Sequence, residues 1–428
     1  MLRLKSCSAF LLLFASLLFA FSAAAQTKLL RFPDIHGDQV VFTYAGDLWL
    51  ASASGGLATR LTAHPGVELF AKFSPDGKWI AFTGQYDGDE QVYVIPVTGG
   101  VPKQLTFYPA RGPLPPRWGY DNQVYGWTPD GKSVVFRSLR EYFDLGDSRL
   151  YTVSMEGGLP QALPMPKSGA GDFSPDGSEV VYSPLFRDFR TWKRYSGGWA
   201  QQLYIYDLKS NAQQKITEDV RAHRDPMWVG DKIYYSSDKD DTLNLYSYDP
   251  KTKATEELTH STKWDVRWPS TDHKGRIVYE MDGELNIFDI ATGKSTPISI
   301  QVPTDALAMR PSRISAANQI EWTELSPKGE RALFVARGDV FTTPIEKGAT
   351  RNLTNSSNAH DKFAQWSPDG SKIAFISDMD GEDELYLINQ DGSGKAEELT
   401  HGFHAMLYQP RWAPDGKRIA FSDKDGKL

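Results

Sequence analysis

The chain has 428 residues, of which 24% are charged, 40% hydrophobic and 12% aromatic. This is the composition of a soluble globular protein with room for two or three domains, and it excludes an intrinsically disordered chain. The formal net charge is −7, and the lysines and arginines are scattered along the sequence. A chain without a basic stripe is not expected to bind nucleic acid.

The first residues have the composition of a secretory signal peptide. Arg3 and Lys5 form a basic n-region, Ala9–Phe21 is almost entirely apolar, and Ala23–Ala25 offers small residues to a signal peptidase. We therefore predict a signal peptide over residues 1–25, cleavage after Ala25, and a periplasmic or secreted mature protein. No later stretch approaches the roughly 20 apolar residues that cross a bilayer, so no membrane span is expected.

A repeat with a period of about 46 residues runs through the remaining chain. Its clearest form is an aromatic residue, Ser-Pro-Asp-Gly or a close variant, two polar residues, and an apolar triplet. The complete copies are Phe73–Phe82, Trp127–Phe136, Phe173–Tyr182, Trp366–Phe375 and Trp412–Phe421, and the degraded copies are Ile35–Phe42, Trp228–Tyr235, Trp268–Tyr279 and Leu325–Phe334. Nine copies at this spacing predict the blades of β-propellers.

Each copy carries the turns of a four-stranded blade. In Pro-Asp-Gly, proline presets φ, aspartate bonds its own backbone and glycine accepts a positive φ, so the first strand reverses into the second. A further turn leads to a strand with an apolar-aromatic pair such as Leu48-Trp49, and a short fourth strand is predicted to end in Leu-Thr or Ile-Thr, as at Leu61-Thr62. The alternation of apolar residues between these turns predicts an all-β chain.

The spacing of the copies also predicts the domains. Six copies occupy residues 26–300, which we interpret as a six-bladed β-propeller. Residues 301–315 lack the blade pattern, so residues 301–428 are predicted to begin a second β-propeller. Because Leu428 aligns with Leu385, the ninth copy ends in mid-blade, and open blades leave strand edges unpaired. We therefore expect the sequence to be a fragment of a longer protein.

The sequence contains none of the common catalytic motifs. There is no Gly-x-Ser-x-Gly, no His-Glu-x-x-His and no cysteine cluster, and Gly392–Lys395 lacks the remainder of a phosphate loop. The single cysteine, Cys7, lies in the predicted signal peptide, so the mature chain has neither a disulfide nor a thiolate nucleophile. We predict no catalytic residue and no cofactor.

Two patterns of possible metal ligands fit other roles better. His401 and His404 are interpreted as part of a polar loop between blades, because two ligands are too few for a structural zinc site. One acidic turn offers oxygen ligands at the spacing of Asp378, Asp380, Glu382 and Asp383. Because it lacks the full calcium loop, we interpret it as a solvated hairpin turn and predict no metal site. The recurring tryptophans and tyrosines are interpreted as packing between blades rather than as a stacking platform for sugars or bases.

The residues Pro33–Asp38 (PDIHGD), followed by Val40–Phe42 and Asp47–Trp49, resemble the opening of the tricorn protease family. The succession of six and then further blades matches as well, and the resemblance covers essentially the whole mature chain. It implies a large serine endopeptidase that degrades peptides, whose six- and seven-bladed propellers control substrate access. The catalytic serine and histidine of that family lie in C-terminal domains after a PDZ-like module. The expected partners are therefore peptide substrates and the protein's own PDZ-like and peptidase domains. Whether the protein forms a homo-oligomer is left open by the resemblance.

Family members hold the C-terminal carboxylate of the substrate with adjacent arginines between the second and third blades. Here the corresponding stretch, Arg111–Trp118, reads RGPLPPRW, and the paired motif is absent. Arg117 is the nearest match and our candidate substrate-binding residue, since a guanidinium suits a carboxylate. The alternative is a solvated loop arginine.

Two other classes of function remain open from the sequence. The same repeat occurs in the periplasmic protein TolB, so the chain could be a non-catalytic propeller that scaffolds protein contacts in the cell envelope. A propeller that precedes an amidohydrolase or α/β-hydrolase domain is the third alternative.

Overall fold

The computed structural model of the protein describes residues 27–108, 119–141, 147–186, 188–189, 193–305 and 312–428. The chain divides into two compact units, Met1–Arg190 with Ser196–Asp305 and Thr191–Tyr195 with Ala306–Leu428. Apart from one 3₁₀ turn at Ala317–Gln319, the regular elements of the described residues are β-strands, which confirms the all-β prediction. No helix in this part of the chain has the length and apolarity to cross a bilayer.

Six four-stranded antiparallel sheets follow one another in the first unit. Sheet 1 consists of β1 (Arg31–His36), β2 (Gln39–Tyr44), β3 (Asp47–Ser52) and β5 (Thr59–Arg60), with β4 (Gly56–Leu57) beside it; sheet 2 of β6 (Glu68–Phe73), β7 (Trp79–Gly84), β8 (Gln91–Pro96) and β9 (Lys103–Gln104); sheet 3 of β10 (Gln123–Trp127), β11 (Ser133–Ser138), β12 (Arg149–Ser154) and β13 (Gln161–Ala162); sheet 4 of β14 (Gly171–Phe173), β15 (Glu179–Tyr182), β16 (Tyr204–Asp207) and β17 (Gln213–Lys215); sheet 5 of β18 (His223–Val229), β19 (Lys232–Ser237), β20 (Asn244–Tyr248) and β21 (Thr255–Glu257); and sheet 6 of β22 (Arg267–Thr271), β23 (Arg276–Met281), β24 (Glu284–Asp289) and β25 (Lys294–Ile298), followed by β26 (Ile300–Gln301).

These six sheets form a closed ring. The first strands β1, β6, β10, β14, β18 and β22 contact one another in that order, and β22 also contacts β1. Beyond sheet 6, β26 pairs in parallel with β4, which lies between β3 and β5 in the chain, with Ile300 opposite Gly56. Val278 and Leu285 of sheet 6 share a buried cluster with Val40 and Phe42 of sheet 1. The first strands therefore surround a central axis, as in a β-propeller.

The Ser-Pro-Asp-Gly turns form because their bonds are local. Ser74 Oγ donates to Asp76 Oδ1 at 2.6 Å, and the same carboxylate oxygen accepts from the Lys78 N–H at 3.1 Å. The Trp79 N–H donates to Ser74 Oγ at 3.0 Å, and Gly77 adopts a φ of +70°. Equivalent side-chain bonds recur in the turns that contain Asp130, Asp176 and Asp369.

The Leu-Thr step lies just after the fourth strand, so the prediction that the strand ends in Leu-Thr is wrong in detail. In sheet 2 the strand β9 ends at Gln104, and Thr106 Oγ1 instead accepts from the Val92 N–H at 2.9 Å and donates to Gln91 Oε1 at 2.6 Å. The equivalent threonine hydroxyl of five other copies accepts from the backbone N–H of Leu48, Leu203, Leu245, Val340 and Leu385. In these six sheets a threonine hydroxyl thus ties the chain that leaves the sheet to the beginning of its third strand.

The aromatic residues of the repeat pack within and between the sheets, as predicted. Phe82 of the second strand lies opposite Tyr93 of the third, with stacked rings 5.6 Å apart. The same stacking joins Phe136 to Tyr151 at 5.7 Å. Phe82 and Phe136 are fully buried, so these rings form the core rather than a binding platform.

Among its described residues, the second unit has two four-stranded sheets and one two-stranded sheet. Sheet 7 consists of β27 (Ile320–Leu325), β28 (Arg331–Ala336), β29 (Asp339–Pro344) and β30 (Arg351–Asn352); sheet 8 of β31 (Lys362–Trp366), β32 (Lys372–Ser377), β33 (Glu384–Asn389) and β34 (Glu397–Glu398); and sheet 9 of β35 (Leu407–Trp412) and β36 (Ile419–Asp423). The first strands β27, β31 and β35 contact one another in that order. The predicted limits of the signal peptide and of the two propellers stay predictions.

Candidate functional site

A cavity of ≈ 360 Å³ lies between the first strands of the closed ring. The residues that line it include, from each of the six sheets, two residues that are two positions apart at the first strand. We define the axial position as the position on the first strand that pairs with the second residue of the repeat's apolar triplet. In the six sheets it is occupied by Asp34, Lys72, Gly126, Asp172, Met227 and Ser270. The inner position, two residues earlier, is occupied by Phe32, Phe70, Val124, Ala170, Asp225 and Trp268. Two columns of the repeat therefore build the cavity wall.

The backbone is irregular between the inner and axial positions. Phe32, Phe70, Asp225 and Trp268 have positive φ values of 51°, 56°, 52° and 51°, and the strand register shifts beside each of them. Left-handed φ is uncommon for residues other than glycine, and such bulges re-aim side chains at functional and ring-lining positions. In this ring the bulges bring the three aromatic side chains together.

Four rings meet at one end of the cavity, and we call them the aromatic plug. Phe32 lies 4.5 Å from Phe70 and 4.7 Å from Trp268 between ring centroids, and Phe189 lies 5.0 Å from Trp268. Phe189 belongs to the connection between β15 and β16 in sheet 4, whereas the other three rings come from sheets 1, 2 and 6. The plug therefore joins opposite sides of the ring of sheets.

The segment that carries Phe189 is held by the preceding carboxylate. Asp188 Oδ2 accepts from the Tyr125 hydroxyl at 2.9 Å, and Asp188 Oδ1 accepts from Gln201 Nε2 at 2.9 Å. Asp188 is buried, so these two bonds compensate the loss of water from its carboxylate. They fix the position of the ring beside it.

A chain of hydrogen bonds crosses the cavity wall from sheet 2 to sheet 1. Lys72 Nζ donates to Ser270 Oγ at 2.6 Å, and the Ser270 hydroxyl donates to Asp34 Oδ1. The second Asp34 oxygen accepts from the Phe73 N–H at 2.7 Å. The Ser270 hydroxyl therefore bridges the Lys72 ammonium and the Asp34 carboxylate.

The axial carboxylates also connect consecutive sheets. Asp34 of sheet 1 accepts from the first aromatic residue of the next copy, and Asp172 of sheet 4 likewise accepts from the Trp228 N–H at 2.7 Å. In the second unit, Glu324 Oε2 accepts from the Trp366 N–H at 2.7 Å. An acidic side chain at the axial position thus joins neighbouring sheets in both units.

The wall holds more carboxylates than cations. Asp225 Oδ2 accepts from Ser236 Oγ at 2.6 Å and lies 3.4 Å from Arg224 Nε. Asp225 lines the cavity, whereas Arg224 does not. Asp172 lies 3.7 Å from His273 Nδ1. Among the residues that line the cavity, Lys72 is the one lysine and no arginine is present.

Burial dominates the titration of these groups. It raises the pKa of Asp34, Asp172 and Asp225 because desolvation disfavours the ionised carboxylate. Burial lowers the pKa of Lys72, although the attraction of Asp34 acts to raise it. For His273, burial acts to lower the pKa, but the pull of Asp172 and a hydrogen bond to the Trp228 carbonyl raise it overall.

The sequence pointed to Arg117, to an acidic turn and to two histidines as candidate site residues. Arg117 falls outside the described residues, so its proposed contact with a substrate carboxylate stays a prediction. In the acidic turn, Asp380 Oδ2 accepts from the Tyr386 hydroxyl at 2.7 Å, and Asp383 pairs with Lys362 at 2.8 Å. His401 pairs with Glu398 at 2.8 Å. Within the described ranges, no group of three or more His, Cys, Asp or Glu residues is placed to hold a metal ion.

Sequence reasoning missed the cavity residues although a signal for them exists. Asp34, Lys72 and Asp172 each stand directly before the first residue of a repeat copy, a column of polar residues that alignment of the copies would have exposed. The prediction that Trp268 is the first aromatic residue of the sixth copy is wrong. The register places Thr271 there, opposite Ile277, and puts Trp268 in the plug.

Comparison with known proteins places this chain in a family. Residues 27–294 match the tricorn protease N-terminal β-propeller domain. The chain is 29% identical over 374 residues to tricorn protease homolog 1 of Streptomyces coelicolor, covering 86% of this chain and 34% of that protein, and 27% identical over 378 residues to tricorn protease of Thermoplasma acidophilum, covering 87% and 34%. It thus spans about one third of the length of these relatives.

Other similarities concern the fold and the division of the family into subunits. The crystal structure of the tricorn protease superposes with a TM-score of 0.56 at 22% identity, covering 94% of this chain and 39% of that one. In Sulfurisphaera tokodaii a tricorn-like protease N-terminal subunit is 29% identical over 186 residues, covering 42% of this chain and 87% of that protein, and a separate C-terminal subunit is 25% identical over 170 residues, covering 40% and 19%. Because the match to the family domain covers more than half of this chain, the chain belongs to the tricorn protease family and contains its N-terminal β-propeller domain.

Proposed function

We propose that this chain forms the N-terminal, substrate-access part of an exported tricorn-like serine endopeptidase that degrades peptides. The observation that carries the proposal is the match of residues 27–294 to the tricorn N-terminal propeller, in relatives of which the chain spans about one third. An access role is supported by the charged and aromatic walls of the central cavity, which offer polar and apolar contacts to a peptide. The catalytic serine and histidine then belong to peptidase domains outside this sequence.

Those domains are supplied by the same polypeptide or by a second subunit. The separate N- and C-terminal subunits of the Sulfurisphaera tokodaii relatives favour an interface that can form between two chains. In this proposal residues 301–428 are the first blades of a second, seven-bladed propeller that the remaining part of the protein completes.

Sheet 9 offers the place where that completion begins. In sheet 8 the second-strand residue Phe375 lies opposite the third-strand residue Tyr386, and in sheet 7 Phe334 lies opposite Phe341. Phe421 occupies the equivalent position in β36, and its strand pairs only with β35 among the described strands. We expect a further strand to pair with this edge and to place an aromatic residue against Phe421, since exposed edges are templates for strand addition.

The test begins with the native polypeptide and its reading frame beyond Leu428. The proposal expects intact mass to show a chain of more than twice this length, or a stably bound second subunit, with fluorogenic peptide hydrolysis that a serine-directed inhibitor abolishes. N-terminal sequencing of the exported protein should begin at Gln26. A native assembly without inhibitor-sensitive peptide hydrolysis would contradict the protease assignment and favour the envelope scaffold.

A pair of variants tests the interface at sheet 9. Phe421→Asp places a charge on the half-buried face of β36 and should reduce both assembly with the peptidase region and peptide hydrolysis. Lys417→Asp changes the charge of the exposed turn in the same hairpin and serves as the matched control. Equal behaviour of the two variants would contradict pairing at this edge.

A further inference from the structure

We propose that the aromatic plug is a fixed seal of the central tunnel of the first unit, and that Phe189 is the ring that completes it. The cavity is then blind, so a solute that enters it from the opposite end cannot pass through the plug. What this means for peptide substrates rests on the proposed function. The seal itself does not, because it follows from the packing of the rings around the axis.

The first strands alone supply half of a seal. Bulky rings occupy the inner position in the consecutive sheets 6, 1 and 2, whereas sheets 3, 4 and 5 carry smaller side chains there. The rings are those of Trp268, Phe32 and Phe70, and the smaller side chains are those of Val124, Ala170 and Asp225. Rings from one half of the circle leave the other half of the axis unfilled. A further group is needed to close it.

Phe189 of sheet 4 fills that half, and a glycine makes room for it. Its ring centroid lies 5.0 Å from that of Trp268 and 6.1 Å from that of Phe70. The Tyr120 ring, which precedes β10 of sheet 3, lies 5.6 Å away. A Cβ at Gly119 would lie 2.4 Å from Phe189 Cδ2, so only glycine lets the backbone lie against this ring. Rings at these separations are in van der Waals contact and leave no path for a peptide backbone.

The segment that carries Phe189 is fitted closely to sheet 4. The Gly169 N–H donates to the Ser183 carbonyl at 2.6 Å. A Cβ at Gly169 would lie 2.7 Å from the Leu185 carbonyl oxygen, so glycine is required for this approach as well. The buried carboxylate of Asp188, next to the ring, accepts two hydrogen bonds from other side chains. Because backbone and side-chain bonds both hold the segment, the ring is a fixed part of the wall.

The cavity ends at the plug. Among the described residues, the rings at the inner positions line the cavity whereas Phe189 and Tyr120 do not, so these two form a second layer behind the first. At its other end the cavity reaches exposed residues of the Pro-Asp-Gly turns, Pro75, Pro129 and Pro175. In the proposed access role, a peptide can therefore enter from the turns but cannot cross the first unit along its axis.

Thiol labelling of the full mature chain tests the seal, because the sequence has no cysteine after Cys7. Val124→Cys places a thiol in the cavity lining beside the plug. Gly126→Trp, at a position where a Cβ meets no atom within 4 Å, should fill the level between this thiol and the turns. N-ethylmaleimide, which is smaller than a peptide, should then react about tenfold more slowly than with Val124→Cys alone. Equal rates would show that the reagent arrives through the plug and would overturn the proposal.

Substitution of Phe189 tests whether this ring completes the seal. Added to Val124→Cys and Gly126→Trp, Phe189→Ala should open the plug and restore rapid labelling, whereas Phe189→Leu retains bulk and should not. Phe107→Ala removes a ring that is 75% exposed and lies outside the plug, so it is the matched control and should leave labelling slow. The melting temperature of each variant distinguishes an opened plug from an unfolded chain. Slow labelling that persists in Phe189→Ala would contradict the role of this ring.

The seal and the proposed function fail separately. A protected thiol in a native protein without peptidase activity would leave the seal intact and remove only its meaning for substrates. Labelling through the plug in an active protease would remove the seal and leave the proposed function.

Discussion

The two units use one repeat but bury it to different degrees. In the closed ring of the first unit, Ile80 and Val134, the first residues of their apolar triplets, are fully buried, because each sheet has a neighbour on both faces. In the second unit Ile373 of sheet 8 is equally buried, whereas Ile419 and Phe421 of sheet 9 are only partly covered. The repeat therefore specifies the strands and turns of a blade, but a second neighbouring sheet is needed to bury its core.

The tryptophan indoles at one repeat position differ between the units as well. In the first unit the indole of Trp127 donates to the Lys72 carbonyl of the preceding sheet at 3.0 Å. The indoles of Trp366 and Trp412, at the same repeat position in the second unit, are buried without a hydrogen-bond partner among the described residues. Substitutions at equivalent positions in the two units can separate what the repeat contributes from what closure adds.

The largest difference is expected for the second-strand aromatic residues. Phe82→Ala removes a fully buried ring that stacks on Tyr93 and should lower the free energy of unfolding of the first unit by about 4 kcal/mol. Phe421→Ala removes the equivalent, half-covered ring and should cost about 1 kcal/mol in the unfolding of the second unit. Denaturant titration with probes in each unit measures both values. Equal losses would show that closure does not determine burial.

A pH effect of up to about 3 kcal/mol is expected at Glu68, at the start of β6. Glu68 is fully buried, and burial raises the pKa of its carboxyl from 4.5 to about 7. The folded state then binds the proton more tightly than the unfolded state, so this group's contribution to stability is present below pH 4.5 and is lost as the pH rises through about 7. Glu68→Gln should flatten this part of the pH–stability curve and stabilise the protein above pH 7.

Glu384 of the second unit is the matched control for Glu68. Both carboxylates accept from the threonine of a Leu-Thr step, but the second Glu384 oxygen also accepts from the Phe403 N–H at 2.8 Å. Glu384→Gln loses an acceptor that the native structure uses and should not stabilise the protein. A gain of stability above pH 7 in both variants would contradict a specific effect of burial at Glu68.

A smaller effect is expected for the carboxylates that connect sheets. Asp34→Ala leaves the buried Phe73 N–H without its acceptor and should cost about 2 kcal/mol, and Asp34→Asn should restore part of the loss. Glu324→Ala breaks the equivalent bond to Trp366 and should cost about 1 kcal/mol, because Glu324 is more exposed. Thermal unfolding of the three variants measures the difference, and a larger loss for Glu324→Ala would reverse our interpretation of the closed ring.

The smallest expected difference concerns the turn glycines. Gly77 and Gly416 have φ values of +70° and +68°, so alanine is strained at either position. A Cβ at Gly77 would also lie 2.4 Å from the His36 ring of sheet 1, whereas at Gly416 the nearest atom is Pro368 Cδ at 3.8 Å. Gly416→Ala should cost about 1 kcal/mol and Gly77→Ala somewhat more. Equal melting shifts would mean that His36 moves aside freely.

Much of the fold could be predicted because its bonds are local. The bonds that reverse the chain between Ser74 and Trp79 lie within six residues, and the stacked pair of Phe82 and Tyr93 follows from hairpin register. The fourth strand was placed one step too far, because the sequence shows the Leu-Thr pair but not the hydrogen bond that draws Thr106 back to Val92. The sixth copy was misaligned because Trp268 has the residue type of one repeat column and the position of another.

The all-β class, the repeat, its turns and the family resemblance could be predicted from the sequence, since each depends on residues close together in the chain. The residues of the site come together through the closure of the ring. Asp34 and Ser270 are 236 residues apart and share a hydrogen bond because the sixth sheet closes onto the first. Ring closure brings two columns of the first six copies to a common axis, where side chains that are distant in the chain share one cavity.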